Sequence, residues 1–323
     1  MDQKDSYYNY EIIYKFMKNI FIHPGFEKTG TTTLQNYFFE KNPKIFSLGK
    51  PYNSKNTQIK RQLSLEIQKN ICFYNEKKVL NLIKKILPKK HKGPIILSDE
   101  LISGSIVRNQ IIANRLKFFF PNAKILFTIR NQITSIQSYY PNRGRILKNA
   151  PNPYNGKHVN FKDWFENSLK NFEDSFLCTI NYEPLINLFS DLFGKSNIKI
   201  LLFEEFANNL NLFCNQLGNF IHIETGIIYK QLQNKKANKR DSKNKILYKR
   251  FREKFLPNFH PTEYMGYGST IRKKFNFLIN KGEKYDVKLS DKHKNTIIAI
   301  YKESNKKLSR KFNLDLKKWD YPI

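Results

Sequence analysis

Two glycines, a lysine and a run of threonines lie in Phe21-Ile-His-Pro-Gly-Phe-Glu-Lys-Thr-Gly-Thr-Thr-Thr-Leu-Gln35, between an apolar run and a helical pattern. These residue types at this spacing suit an anion. A helix beginning near Thr31 presents unpaired N–H groups and a partial positive charge at its start. Gly30 lets a ligand approach the backbone, and Thr29, Thr31, Thr32 and Thr33 lie along the turn with hydroxyls to offer. Lys28 adds a mobile cation.

The nucleoside-triphosphate loop, G-x-x-x-x-G-K-[ST], needs lysine directly after its second glycine. Gly25 and Gly30 have that separation, but Thr31 stands at the lysine position and the lysine is at 28. A kinase or other NTP-binding enzyme built this way lacks its usual β/γ-phosphate contact, which makes it the runner-up.

A second anion site is expected in KILFTIRNQITSIQSYY. There a buried strand, Lys124 to Ile129, ends in Arg130, and a helix carrying Ser138 follows. Ligands of a parallel sheet sit beyond the carboxyl ends of its strands, where both Lys28 and Arg130 fall. Arg130 can grip a phosphate bidentately and Ser138 can add a hydroxyl, so the ligand is expected to be phosphorylated at two places. The strand Pro94 to Ser98 delivers Asp99 and Glu100 to the same edge. Glu100 is the first candidate for a general base and Asp99 the second. His23 closes the first strand and is a further candidate, although a packed histidine is the commoner outcome there. His260, within FLPNFHPTEYMGYGS, lies in a segment with the aromatic and glycine content of an acceptor-binding loop.

The positioning elements are legible as short apolar runs separated by amphipathic stretches. Strands are expected at Ile20 to His23, Pro94 to Ser98, Lys124 to Ile129 and Ile198 to Phe203. Helices are expected at Thr31 to Phe39, Glu76 to Leu87, Arg108 to Phe119, Ile133 to Tyr140, Phe161 to Phe176, Tyr182 to Phe193 and Leu210 to Ile221. This alternation predicts a three-layer α/β/α fold with a central, mostly parallel sheet and a helical C-terminal extension. One domain spans 1–323, with an α/β core at 18–210 and a helical or loop part at 211–323 on the acceptor side. Asn142 to Val159 reads as a surface loop, and the basic stretch from Gln231 to Lys254 as a loop or a solvated helix.

The net charge of +30 points to an anionic ligand, nucleic acid, membrane surface or acidic polymer. Its 46 Lys against 11 Arg, alongside 37 Asn, also fit a sequence drifting with an AT-rich genome. Charge alone therefore decides nothing. A basic polyanion-binding protein remains a third reading, but no nucleic-acid motif is present and no nucleic-acid partner is expected. Cys72, Cys178 and Cys214 are far apart and suggest neither a disulfide framework nor a metal cluster. No run is long enough to span a membrane, peripheral membrane contact stays open, and no leader is evident, so a cytoplasmic protein is expected.

The segments KTGTTTLQ at 28–35 and R-N-x7-S-Y-Y at 130–140 together resemble the two signature segments of PAPS-dependent sulfotransferases. YKESNKKLSRKFNLDL at 301–316, with Trp319-Asp-Tyr-Pro322, is similar to the closing helix and tail of bacterial sulfotransferase domains, so the likeness spans nearly the whole chain. The resemblance implies sulfuryl transfer from 3′-phosphoadenosine 5′-phosphosulfate (PAPS) to a hydroxyl or amine of an acceptor, a saccharide first among the candidates, leaving 3′,5′-ADP. It implies that Lys28, Thr29, Gly30, Thr31, Thr32 and Thr33 hold the 5′-phosphosulfate, with Lys28 stabilising the leaving group. Arg130 and Ser138 hold the 3′-phosphate, helped by a late basic residue for which Lys239 or Arg240 is available. No metal is called for.

Overall fold

The computed structural model describes residues 19–51, 57–88, 90–104, 108–141, 159–235, 242–255 and 270–323. The chain divides into two compact units. The first holds the stretches up to Asn131, 179–237 and 300–323; the second holds 132–178 and 238–299.

Five strands form the sheet of the first unit: β1 (Ile20–His23), β2 (Phe46–Ser47), β3 (Ile95–Ser98), β4 (Lys124–Ile129) and β5 (Ile198–Leu202). Their order is β2-β3-β1-β4-β5 and every pairing is parallel, as the alternation of apolar runs with helices requires. Four strands lie where the sequence places them. The two-residue edge strand β2 is too short to leave a pattern.

Side chains alternate across the pleat, so each strand feeds two layers. Phe21, Ile96, Leu126 and Leu201 turn to one face. There they pack with Leu34, Phe38 and Phe39, and with Phe213, Cys214, Leu217 and Ile221 of a helix at Leu210–Ile221. On the other face Phe127 meets Phe189, ring centroids 5.5 Å apart, on the helix Tyr182–Phe193. The expected α/β/α layering is present.

After β1 the chain makes a tight turn into α1 (Thr31–Leu34), which widens at once into a π-helical turn at Gln35–Phe39. The helix α2 (Thr57–Gln68) has no counterpart among the sequence expectations. Helices α3 (Glu76–Ile86) and α4 (Asn109–Phe119) fall within a residue of expectation.

In the second unit, α5 (Gln132–Tyr139) is followed by α6 (Phe161–Lys170), shorter than the expected Phe161 to Phe176 because a 3-10 turn at Phe172–Asp174 intervenes. An aromatic cluster organises this unit. Tyr139 stacks on Phe176 at 3.7 Å, Trp164 is 2% exposed, and His293 packs edge-on against Phe161 and Phe165. Part of the basic stretch whose state the sequence left open is helical, from Lys243 to Phe255.

Phe38 is fully buried under the sheet. Phe38→Ala is expected to lower unfolding free energy by about 3–5 kcal/mol, read as a lower urea midpoint with unchanged slope.

Candidate functional site

The carboxyl ends of β2, β3, β1 and β4 lie side by side, and each delivers chemistry to that edge. β1 runs into the turn Pro24–Gly30. Lys28 takes a left-handed backbone at φ 68° and Gly30 one at φ 89°. At Gly30 a Cβ would also come within 3.3 Å of the Phe203 ring, so the position needs glycine for both conformation and space. The helix start at Thr31 aims its first N–H groups back at this turn, an arrangement that fits an anionic group.

Beneath the turn runs a continuous chain of hydrogen bonds, made because Ser98, His23 and Thr128 occupy the same face of adjacent strands. Gln35 Nε2 donates to Ser98 Oγ at 3.0 Å, and Ser98 Oγ lies 2.8 Å from His23 Nδ1. His23 Nε2 lies 3.3 Å from Thr128 Oγ1, which lies 2.9 Å from Thr29 Oγ1. Thr29 Oγ1 donates to the Phe26 carbonyl at 2.7 Å. That last bond fixes the rest. With Thr29's proton committed to Phe26, Thr128 donates to Thr29 and accepts from His23 Nε2–H, so Nδ1 accepts from Ser98. The imidazole is neutral and wholly buried, and burial lowers its pKa from 6.5 to about 4 against the opposing pull of Glu100.

The structure thus places His23 next to the loop as a buried strut. Thr29 is likewise buried, its hydroxyl turned inward. Thr31 donates its hydroxyl to Glu100 Oε1 at 2.7 Å. Thr32 is half-buried and Thr33 buried.

After β3, Asp99 and Glu100 diverge. Asp99 is fully buried, accepts from Leu101 N–H at 3.0 Å and accepts from the Ser64 hydroxyl of α2. It is the capping residue of the next turn. Glu100 stays at the edge, its second oxygen 2.9 Å from Lys50 Nζ. Lys50 also approaches Asp99 at 3.2 Å. Burial pushes the Glu100 carboxyl up, but Lys50 and the Thr31 hydroxyl outweigh it and its pKa is lowered. Burial in turn works against the Lys50 charge, and the two carboxylates overcome it, raising that pKa. Lys50 reaches this place because Gly49 passes over the end of β3, where a Cβ would stand 2.0 Å from the Ser98 carbonyl oxygen. No motif or spacing points to Lys50, since its position depends on β2.

Arg130 follows β4. Its guanidinium donates to the Lys28 carbonyl at 3.1 Å and lies 4.3 Å above the Phe203 ring, and the residue is 9% exposed. Tyr182 donates to the Arg130 carbonyl at 2.8 Å. Its neighbour Asn131 donates its N–H to Glu204 at 3.0 Å and its side-chain amide to the carbonyls of Trp319 and Asp320 at 3.1 and 2.6 Å. Tyr321 donates to the other Glu204 oxygen at 2.9 Å. Burial raises the Glu204 carboxyl against these contacts. The tail matched in the sequence is therefore bound at the end of β4.

The structure brings Lys28, Gly30, Thr31, Glu100 and Arg130 to one edge. Ser138 lies on α5 of the second unit. Lys239, Arg240 and His260 lie outside the described residues. Among the described residues, no group of three or more His, Cys, Asp or Glu is placed to hold a metal ion.

No protein-family model matches the chain, and no curated protein matches it. The structure is similar to the crystal structure of a sulfotransferase from Alicyclobacillus acidocaldarius, with a TM-score of 0.54 and 15% identity over 93% of this chain and 98% of that one. It also aligns with the sulfotransferase domain from the curacin biosynthetic pathway, at a TM-score of 0.41 and 13% identity, covering 68% and 78% of the two chains. Mouse sulfotransferase SULT7A1 complexed with PAP gives 0.40 and 13% over 83% and 94%. The fold of the chain is that of a sulfotransferase.

A histidine held neutral in the fold binds fewer protons than in the unfolded chain between pH 6.5 and about 4. Its contribution is complete above 6.5 and lost as pH falls through that window. Between pH 6.5 and 5 the urea-derived stability is expected to fall by up to about 1.4 kcal/mol per pH unit, and His23→Gln is expected to flatten that slope.

Proposed function

We propose that the chain is a sulfotransferase that moves the sulfuryl group of PAPS to a hydroxyl or amine of an acceptor, with a saccharide as the favoured acceptor class. The observation that carries this is the contact of the Arg130 guanidinium with the carbonyl of Lys28, which ties two cations to one strand-to-helix turn. A bisphosphorylated nucleotide matches such an edge better than a triphosphate, for which the lysine stands in the wrong place. In this reading residues 1–323 form one cytoplasmic sulfotransferase domain, and the cofactor brings the activated sulfuryl group.

The work left to the protein is positioning and charge stabilisation, since sulfuryl transfer resembles phosphoryl transfer in its loose, in-line transition state. The turn from Lys28 to Thr32 would offer N–H groups to the 5′ end, that of Thr33 being taken by the Gly30 carbonyl, and Lys28 would stabilise charge on the leaving phosphate. The hydroxyls of Thr29 and Thr31 take internal partners, so these residues serve through the backbone. Arg130 takes the 3′-phosphate, a role the resemblance also assigns to Ser138, Lys239 and Arg240. Glu100 would accept the proton of the acceptor hydroxyl as that oxygen takes the sulfuryl group the bound cofactor would supply. Lys50 keeps that carboxylate ionised and aimed. His23 supports the turn from below.

Calorimetric titration with 3′,5′-ADP is expected to show binding that Arg130→Ala weakens about a hundredfold, the scale of a lost charge-assisted contact of ~2–3 kcal/mol. Near-ultraviolet circular dichroism should stay unchanged. Failure to bind 3′,5′-ADP, or tighter binding of magnesium-ATP, overturns the reading.

With labelled PAPS and an accepted saccharide, Glu100→Gln should keep 3′,5′-ADP affinity and lose kcat by about a hundredfold or more. A base works above its pKa and fails as pH falls through it, so the acid limb of kcat should lie below the ordinary glutamate value. Lys50→Ala should move that limb upward in pH.

A further inference from the structure

We propose that a helical hairpin of the second unit is a docking face for an anionic lipid bilayer. Its helices are α7 (Lys243–Phe255) and α8 (Thr270–Asn280). They pack through Tyr248 and Phe275, edge to face at 5.3 Å. An antiparallel bridge joins Ser242 to Lys284, and Asn244 donates to the Lys281 carbonyl at 2.8 Å. With these inner positions committed, large apolar side chains point outward: Leu247 and Phe251 are 59% and 57% exposed, Ile271 68%, Phe277 70% and Leu278 62%. Leu247 and Phe251 stand one turn apart on α7, and Ile271 and Leu278 two turns apart on α8. Exposed groups of this size gathered on two neighbouring helices mark a surface that something covers.

Charge selects the occupant. Between Ser242 and Lys288 the sequence carries twelve Lys and Arg against four Asp and Glu. On α8 the helical repeat sets Lys274 in the same arc of roughly 60° as Ile271 and Leu278, and all three are exposed. A saccharide would call for amide, carboxylate and hydroxyl groups, whereas Leu, Ile and Phe offer a sugar hydroxyl nothing. A protein partner would have to desolvate lysines, which are depleted in the centres of such interfaces. An anionic bilayer accepts both kinds of group: apolar side chains enter the headgroup–acyl boundary while lysines extend to the phosphates. At 13 and 11 residues the helices are too short to span, against a need of roughly 20. Among the described residues no helix is long and apolar enough to cross a membrane, so the hairpin lies on the surface.

The full chain should float with phosphatidylcholine vesicles containing phosphatidylserine, stay behind with pure phosphatidylcholine, and release as salt is raised. Leu247→Ser, Phe251→Ser, Ile271→Ser and Leu278→Ser combined should cut partitioning about tenfold or more, with unchanged far-ultraviolet circular dichroism and 3′,5′-ADP affinity. If that combination unfolds the hairpin, Leu247→Ser and Leu278→Ser singly should each lower partitioning. Equal binding by the folded variants, equal binding to neutral vesicles, or capture by a soluble acidic polysaccharide but not by vesicles overturns the proposal. None of these outcomes bears on sulfuryl transfer.

Discussion

Parallel pairing of β3, β1 and β4 in register is the constraint from which the rest of the site follows. It sets Ser98, His23 and Thr128 in one row at the strand ends, where no water reaches. Each of these polar groups must then find its partner within the protein, because an unmet one would cost about 1–3 kcal/mol. The row closes on itself only through Gln35 on one side and Thr29 on the other. The turn above is thereby pinned at both of its ends, before any ligand arrives.

The charged edge depends on that pinned turn in two ways. Arg130 reaches across to a carbonyl of the turn, and Thr31 reaches down to Glu100. Lys50 then closes the group of carboxylates from the outer strand. Cation and carboxylate are both tied to one turn, the first through the Lys28 carbonyl and the second through the Thr31 hydroxyl. Such an edge can neutralise an anion at one place and take up a proton at another.

Much of this was legible from residue order. The β1 turn, the four main strands and most helices announce themselves through period and through glycine, lysine and threonine at fixed offsets. Arg130 and Glu100 follow, because a strand end in a parallel sheet is a place that can be counted to. What stayed hidden depends on contacts between distant segments. Lys50 sits after a strand of only two residues. Ser64 lies on a helix with no distinctive spacing. Asn131 matters through carbonyls 188 and 189 residues further on. The threonines illustrate the opposite case: their presence was plain, but whether a hydroxyl faces ligand or core is settled by Thr128 and Glu100, which no local pattern reveals.

The grip of Asn131 on Trp319 and Asp320 has a consequence for the order in which the molecule is made. The ribosome emits the turn and β4 early, yet the carbonyls that hold the end of β4, and the phenol that meets Glu204, arrive only after most of the chain has been translated. Through that interval the edge of the sheet stands unlatched, with Glu204 lacking its phenol partner. Nascent chains would therefore acquire a settled strand edge late and all at once.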